Sequence, residues 1–535
     1  MTGIESTKTA PPAGQPRSVR EIYTVMSGLM IAMLLAMLDN MVVGTAMPTI
    51  VGELGGLTHL AWVVTAYTLA TAVATPVWGK LGDLYGRKGM FMSAIAIFLI
   101  GSALAGMSQS MNELIAFRGL QGLGAGGLLV GAMAIIGDLV PPRERGRYQG
   151  LMAAVMPLAM IGGPLLGGFV TDHLNWRWAF YINLPLGGLA LVVTALTMHL
   201  EKRRTSHRID YLGVVLLTAA ISTLILVATW GGTEYAWGSS TIIGLGIVSA
   251  VSLVAFILWE LRATEPILPM RLFRNANFAL VSALGFLVGF ALFGAVTFLP
   301  QYQQLVQGAS ATNSGLLLLP LMAGMLVTTI VVGQLVTRTG RYRVFPILGG
   351  AAMAVGMFLL AQLTVGSTEL TTSLFMVVLG VGMGFLMQNT MLIAQNSVEM
   401  KDMGAASGAA TLFRTIGGSL GVSLLGAIYS NHLTSDLAAR LGAKGEQLSA
   451  GGTQLTPAML KRLPDNIRDA FMHAVTSGVH SVFLWAAVFS VVAFAVAWFI
   501  REVPLRGGPV AAPASGGKAS DSRASGEPVA EPVGV

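Results

Sequence analysis

Long apolar blocks separated by short polar segments dominate this chain. Many of the blocks are about 20 residues long, the length that crosses ~30 Å of hydrocarbon as an α-helix. We predict fourteen spanning helices, called spans 1 to 14, at 22–48, 60–80, 89–108, 112–138, 149–171, 178–199, 210–230, 240–261, 277–300, 313–336, 344–364, 371–397, 404–430 and 478–500. The pattern therefore predicts an all-α membrane protein, with disordered cytoplasmic tails at 1–21 and 504–535.

One polar connection is repeated along the chain. Residues 79–91 read GKLGDLYGRKGMF and residues 333–345 read GQLVTRTGRYRVF, with Gly, Leu, Gly, Arg and Phe in register. A duplicated half is typical of transporters, in which two bundles rock about a central site. The repeat predicts an N-terminal six-helix bundle at 22–200 and a C-terminal six-helix bundle at 275–503. The two helices and linkers at 201–274 are then an insertion.

The basic residues predict the orientation. Lys and Arg cluster in alternate connections, which marks those connections as cytoplasmic and places both termini inside. One segment, 431–477, falls outside by this count although it carries five basic residues. Longer segments follow the positive-inside rule less strictly, so we predict that 431–477 is extracellular. We expect a multi-pass protein of the cytoplasmic (inner) membrane.

Composition agrees with a membrane protein. The chain is 54% hydrophobic and 11% charged with a mean hydropathy of +0.71, whereas soluble domains carry roughly 25% charged residues. The net charge of +7 lies in short loops, so it indicates membrane topology and not nucleic-acid binding. Cysteine is absent, which excludes disulfides and thiol chemistry.

The sequence lacks the motifs of an enzyme. Neither a Walker A motif, nor H-E-x-x-H, nor G-x-S-x-G in a strand–turn–helix setting occurs. We predict no cofactor and no metal site, and an ion gradient or a substrate gradient as the energy source.

Two charged residues fall inside the first bundle. Asp39 lies in the middle or outer half of span 1 and Arg118 lies in span 4. An intramembrane ionisable residue costs roughly 2.5 kcal/mol or more unless it faces a cavity or a partner. We predict that Asp39 carries protons or binds cations and that Arg118 is its candidate partner. The alternatives are a structural aspartate and an arginine that snorkels to the headgroups.

The connection between spans 2 and 3 carries a candidate cytoplasmic gate. Asp83 sits among Lys80, Arg87 and Lys88, so a charge cluster can form and break there, and glycines allow close helix approach. The alternative is a basic loop that only sets topology. The second copy has Thr337 in place of Asp83, so the gate should lie mainly in the first half. The predicted gate residues are Gly79, Asp83, Gly86, Arg87 and Lys88.

Span 5 and the second bundle supply two further sets of candidates. MIGGPLLGG in span 5 permits a kink and close packing, with the predicted hinge residues Gly163, Pro164, Gly167 and Gly168. Polar residues elsewhere line a cavity or bond helix to helix, with even odds. They are Tyr67, Tyr302, Gln303, Gln388, Asn389 and Arg414.

Together these segments resemble a known family. GKLGDLYGRK resembles the major facilitator signature, and LDNMVVGTAMP, FRGLQGLGAGG and GGPLLGG resemble signatures of the drug/proton antiporters. NWRWAFYINLPLG and FLPQYQQLVQGASATNSGLLLLP are similar to the fourteen-helix branch. The resemblance implies the major facilitator fold, with Asp39 as the acidic coupling residue, Arg118 as the coupling arginine and Asp83 with Arg87 as the gate pair. Asn40, Met41 and Gly44 depart from the usual residues beside Asp39.

Three functions remain open. The resemblance favours a proton-coupled antiporter that exports amphipathic, cationic or neutral drugs and toxic compounds and acts as a monomer in the lipid bilayer. The second is a dedicated exporter of one native metabolite, such as a self-made antibiotic or a lipid precursor. The third, a remote alternative, is a non-transporting membrane receptor or scaffold.

Overall fold

A computed structural model describes residues 19–54, 60–198, 209–232, 234–309, 316–442 and 464–505. These residues form helices joined by short connections. In chain order the α-helices are α1 Val19–Leu54, α2 Leu60–Tyr85, α3 Arg87–Met107, α4 Met111–Leu139, α5 Pro142–Ala153, α6 Val155–His173, α7 Trp178–Tyr181, α8 Asn183–Thr197, α9 Tyr211–Trp230, α10 Ser240–Glu260, α11 Ala276–Leu305, α12 Leu319–Thr339, α13 Val344–Ala361, α14 Glu369–Asn396, α15 Met403–Leu441 and α16 Asp465–Trp498.

The helices have the length and hydropathy of membrane spans. Within the described residues, 12 helices are long and apolar enough to cross a bilayer. The two remaining predicted spans correspond to α2 and to the consecutive helices α5 and α6. The predicted fold class, an all-α membrane protein, is confirmed.

Local sequence explains where the helices begin and end. Ser110, Asn275 and Thr368 each accept a hydrogen bond from a backbone N–H of the first turn that follows, which satisfies a donor with no partner inside the helix. The two copies of the repeat turn through glycines with positive φ, Gly86 at 93° and Gly340 at 70°. Both glycines occupy the same register of the repeat, so the duplication extends to backbone conformation.

Most buried apolar side chains cluster within one half or the other, although Ala72 and Val73 of α2 belong to the cluster of the second half. In the first half, α1 packs on α6 and α8, and α4 packs on α2 and α3. In the second half, α11 packs on α15 and α16, and α14 packs on α12 and α13. These contacts place six predicted spans in each of two bundles.

The inserted helices pack on each other and on both bundles. α9 contacts α10, and it also contacts α2 of the first bundle and α15 of the second. The linker after α10 is fixed by Glu260, which accepts the backbone N–H groups of Ile267 and Leu268 at 3.1 and 3.3 Å. The insertion therefore lies against the junction of the two bundles.

Several boundaries differ from the prediction. Span 5 is divided at Ala154 into α5 and α6, and the hinge glycines lie within α6. α15 continues to Leu441 and α16 begins at Asp465, so both ends of the predicted segment 431–477 are helical. Helical hydrogen bonding continues across these polar residues, where hydropathy alone ended the spans. The remainder of that segment, 443–463, lies outside the described residues, as do most of the two predicted tails.

Candidate functional site

A charge pair is enclosed within the first bundle. Arg118 on α4 donates from Nη1 to Oδ2 of Asp39 on α1, and both side chains are 0% exposed. The sequence proposed this pair without a distance, and the structure places the two residues in direct contact. A fully buried pair is costly to disrupt, because removing one partner leaves an uncompensated charge at a cost of about 3–5 kcal/mol.

Two amides complete the environment of the carboxylate. Gln121 Nε2 and Asn183 Nδ2 donate to Asp39 Oδ1 at 2.8 and 2.7 Å. Arg118 Nη1 also donates to Gln121 Oε1 at 3.0 Å, and Asn183 donates to Ser102 Oγ at 2.9 Å. Asp39 thus accepts from three side chains on two helices, so donors reach both oxygens of the carboxylate.

Two aromatic rings lie close to the guanidinium of Arg118. The Arg118 guanidinium carbon lies 4.1 Å from the centre of the Tyr67 ring and 5.9 Å from that of Phe180. The Tyr67 hydroxyl donates to the carbonyl of Ala36 at 2.9 Å. Tyr67, predicted to line a cavity, therefore packs against the Arg118 guanidinium of the charge pair. Arg118 Nε and Nη2 are buried and have no acceptor among the described residues.

Sequence reasoning missed Gln121, Asn183 and Ser102. Gln121 follows Arg118 by three residues and so lies on the same face of α4, which was a usable signal. Asn183 is a polar residue inside the apolar start of α8. Ser102 carries no comparable signal, because single serines are ordinary in membrane helices.

The gate residue Asp83 joins the two bundles. Its carboxylate accepts the backbone N–H groups of Gly404 and Ala405, both at 3.0 Å, at the start of α15. It also accepts from Arg87 Nη2 at 2.9 Å. The first turn of a helix offers free N–H groups and a positive dipole end, so a carboxylate is well placed there. We call Asp83, Gly404 and Ala405 the inside latch, after the prediction from the basic loops that this end of the protein faces the inside.

The predicted basic cluster is more dispersed than expected. Arg87 bonds Asp83 and, at 2.6 Å through Nε, Asp138 at the end of α4. Lys80 instead pairs with Glu265 in the linker at 3.1 Å, and Lys88 donates to the carbonyl of Ala195 at 2.7 Å. Neither lysine bonds Asp83, because each has an acceptor on a neighbouring segment.

Glycines allow the helices to meet at the inside latch. A Cβ at Gly79 would collide with the carbonyl oxygen of Gly404, and one at Gly404 would lie 2.6 Å from Oδ1 of Asp83. One turn further along α15, a Cβ at Gly408 would lie 3.0 Å from Pro76 Cα. The close crossing of α2 and α15 therefore requires glycine on both helices.

A second seam between the bundles runs along α5 and α12. A Cβ on Gly150 would lie 3.3 Å from Cα of Ile330. Nearby, Gln149 donates to Gln395 Oε1 at 3.4 Å, and Gln395 donates to the carbonyl of Met133 at 3.2 Å. The two seams bring the bundles together at the inside end.

The same face of α15 becomes more accessible away from that end. Gly404 and Gly408 are buried against α2, whereas Thr415, Ser419 and Val422, further along this face, are partly exposed. The two bundles are therefore in contact at the inside latch, and this one face of α15 is more accessible further along the helix.

The span 5 glycines have different surroundings. A Cβ at Gly163 would collide with the side chain of Met41 on α1, so this glycine permits close packing of α1 and α6. A Cβ at Gly168 would meet nothing within 4 Å. Gly167 also lies within α6 and is buried, and the side chain of Pro164 lies outside the described residues.

Most of the polar residues predicted to line a cavity in the second bundle are buried. The Tyr302 hydroxyl donates to the carbonyl of Thr364 at 2.6 Å, and Asn389 Nδ2 donates to that of Phe385 at 2.7 Å. Gln303 and Gln388 are 1% and 4% exposed. Tyr302 thus bonds another segment of its bundle, which is the alternative left open by the sequence, whereas the Asn389 bond lies within α14. Arg414 remains partly exposed.

At the other end of the first bundle, Glu53 ties α1 to the connection between α6 and α7. Glu53 lies beyond the apolar span and accepts from Arg177 and, at 2.8 Å, from Trp176 Nε1. The hydrogen bond from Arg177, then that from Trp176, holds the pKa of Glu53 below its ordinary value. The carboxylate of Glu53 therefore holds the end of α1 against the connection between α6 and α7.

The fold and site together define a polytopic membrane protein with two six-helix bundles, a buried charge pair in one and a latch between them. Such an architecture is typical of transporters. The chain belongs to the Major Facilitator Superfamily, whose sequence model matches residues 29–422.

Relatives and solved structures agree with this assignment. An uncharacterized MFS-type transporter of Mycobacterium tuberculosis is 42% identical over 513 residues, covering 94% of this chain and 74% of the relative. The multidrug transporter protein MdtP of Bacillus subtilis is 37% identical over 505 residues, covering 90% and 93%. The proton:xylose symporter XylE is similar in structure with a TM-score of 0.58 and 13% identity, covering 91% and 97%. The chain is therefore a transporter and not an enzyme.

Proposed function

We propose that this transporter is a proton-coupled antiporter that exports amphipathic compounds, cationic or neutral, across the cytoplasmic membrane. The observation that carries the proposal is the buried network of Asp39. Its carboxylate is the only acidic group that the described residues place deep within the spans, and it is held by Arg118, Gln121 and Asn183. Relatives named as multidrug transporters support the substrate class.

Asp39 exchanges its proton when the network opens. In the inside-closed state the charged carboxylate is neutralised by Arg118. A proton entering from the outside removes the negative charge of Asp39 and so releases Arg118 from its partner. The pair then no longer holds α1 against α4, and the bundles rock to the inside-open state. Substrate binding from the cytoplasm favours loss of the proton and return of the pair.

The inside latch sets which face is open. Asp83 bonds the start of α15 only when the bundles meet at the inside, whereas its bond to Arg87 lies within one half. The latch therefore stabilises the inside-closed state selectively, which is the requirement for a conformational bias.

The test is proton flux in proteoliposomes. The purified chain is reconstituted with an imposed pH gradient, a pH-sensitive dye reports the lumen, and ethidium is added as a cationic substrate. We expect ethidium to trigger proton release with the wild type and not with Asp39→Asn. The matched control is Asp436→Asn, the same chemical change at a partly exposed position near the end of α15, which should behave as wild type.

Two outcomes would contradict the proposal. Full proton release by Asp39→Asn would remove Asp39 from coupling. Absence of release by the wild type, with ethidium and with neutral amphiphiles, would exclude drug/proton antiport and favour the dedicated export of one native metabolite.

A further inference from the structure

Arg414 is a charged residue placed near the middle of the membrane. It lies eleven residues after Met403, where α15 begins at the inside latch. At 1.5 Å per residue this is roughly 16 Å along the helix, about half of the ~30 Å hydrocarbon thickness. An arginine at this depth is costly unless it meets an anion or faces a polar cavity.

The described residues supply no counter-charge to Arg414. Among the described residues, its guanidinium makes no hydrogen bond, ion pair or ring contact. The described acidic residues of the second bundle lie near helix ends: Glu369, Glu399, Asp402, Asp436, Asp465, Asp469 and Glu502. The buried Asp39 is already paired with Arg118. The deep charges of the described spans therefore sum to one unpaired positive charge.

Arg414 faces the interior of the bundle. Residues seven apart lie on one face of a helix. Seven residues before Arg414, Ser407 accepts from Gln395 of α14 at 3.1 Å. Seven residues after it, a Cβ at Gly421 would lie 2.7 Å from the carbonyl oxygen of Phe290 on α11. Arg414 lies between these two inward contacts, so its side chain leaves α15 on the interior face.

A polar neighbour stands at the same depth on the facing helix. α14 runs antiparallel to α15, and their contact at Gln395 and Ser407 fixes the register. Moving seven residues outward on each helix, roughly 10 Å, brings Gln388 and Arg414 to one level. Arg414 is partly exposed there, beside the face of α15 that opens beyond the inside latch. A guanidinium beside an amide suits a planar oxyanion.

We propose that Arg414 binds the carboxylate of an amphipathic substrate in the translocation pathway. The inference rests on the proposed export function and extends its substrates to organic anions. Arg is the appropriate residue because its planar fork matches a carboxylate with two parallel hydrogen bonds. The apolar part of the ligand would lie along the partly exposed face of α15 beyond Arg414.

The test uses two probes with the same apolar body and opposite charge. Binding of 1-pyrenebutyrate and of 1-pyrenebutyltrimethylammonium is measured by isothermal titration calorimetry on the detergent-purified full chain, with empty micelles subtracted. We expect Arg414→Gln to weaken pyrenebutyrate at least tenfold, Arg414→Lys to weaken it less, and the cationic probe to bind as well or better. Arg440→Gln, at the exposed end of the same helix, is the matched control and should change neither probe.

The outcomes separate this site from the coupling mechanism. Equal weakening of both probes in Arg414→Gln, equal affinity of wild type and Arg414→Gln for pyrenebutyrate, or no pyrenebutyrate binding by the wild type would each overturn the anion site. If Arg414→Gln fails to fold, Arg414→Lys is used in its place. An Arg414→Lys protein that prefers pyrenebutyrate over the cationic probe to the same degree as the wild type would overturn the site. Asp39→Asn should still bind pyrenebutyrate. Loss of proton flux with retained anion binding therefore tests coupling alone.

Discussion

Replacing Asp83 by asparagine tests the inside latch directly. The carboxylate is 4% exposed and accepts two backbone N–H groups from the other bundle and one side-chain donor, Arg87, from its own. In the proposed mechanism, only the two bonds to Gly404 and Ala405 differ between the inside-closed and inside-open states, because Arg87 belongs to the same half as Asp83. An asparagine at this position would keep the size of the side chain and one acceptor oxygen but lose the charge.

The magnitude follows from the bonds that are lost. A hydrogen bond to a charged group contributes about 1.5–3 kcal/mol. Asparagine can still accept one of the two backbone N–H groups, but as a neutral acceptor. We therefore expect the inside-closed state to lose about 2 kcal/mol of stabilisation. At ~1.4 kcal/mol per tenfold, the ratio of closed to open molecules falls roughly 30-fold. The bond to Arg87 persists in both states and cancels.

The absence of cysteine in the chain makes the assay simple. A single Ser407→Cys places a thiol at a position that is 0% exposed near the latch. An impermeant maleimide applied to inverted vesicles should label it only while the inside is open. We expect labelling about 30-fold faster when Asp83→Asn is added. Asp402→Asn is the control, since its partner Arg271 lies in the linker before α11. Equal labelling rates for the two variants would refute the latch.

Two steric predictions follow from the glycines. Gly79→Ala places a methyl group against the carbonyl of Gly404, so the maleimide should label Ser407→Cys faster from the inside. The control is Gly89→Ala, whose added Cβ meets nothing within 4 Å and which should leave the labelling rate unchanged. Gly163→Ala overlaps Met41 and should destabilise the packing of α1 on α6 by about 1–3 kcal/mol, seen as a lower Tm in detergent, while Gly168→Ala should not lower it. A Gly163→Ala protein as stable as Gly168→Ala would show that α1 and α6 do not pack as closely as described.

The fold was largely predictable because each span satisfies its own backbone hydrogen bonds. Hydropathy and the basic loops therefore located the spans without knowledge of their neighbours. Boundaries were less certain where polar residues extend a helix. The last turns of α15 carry Asp436 and Arg440, an ion pair one turn apart that supports helix although hydropathy has already fallen.

The sequence identified the two charged residues of the site but not the residues that hydrogen-bond to them. Asp39 and Arg118 stand out because ionisable residues are rare inside a membrane. Gln121 and Asn183 are uncharged and do not stand out from the other polar residues of the spans. They reach Asp39 only because α4 and α8 pack beside α1. The latch acceptors were less visible still. Gly404 and Ala405 act through backbone N–H groups, and no side chain in the sequence identifies a backbone donor.

The buried pair and the inside latch share two helices, which gives their coupling a physical basis. α2 carries Tyr67 against Arg118 and, sixteen residues later, Asp83 in the latch. α4 carries Arg118 itself and, at its end, Asp138, which bonds Arg87 of the latch region. α4 is continuous from Arg118 to Asp138, ~30 Å, and α2 is continuous from Tyr67 to Asp83, ~24 Å, although Pro76 removes one hydrogen bond of α2 between them. In the proposed mechanism, the shift of Arg118 on losing its partner moves the same helices that carry the latch, so one proton at Asp39 influences contacts at the opposite end of the bundle.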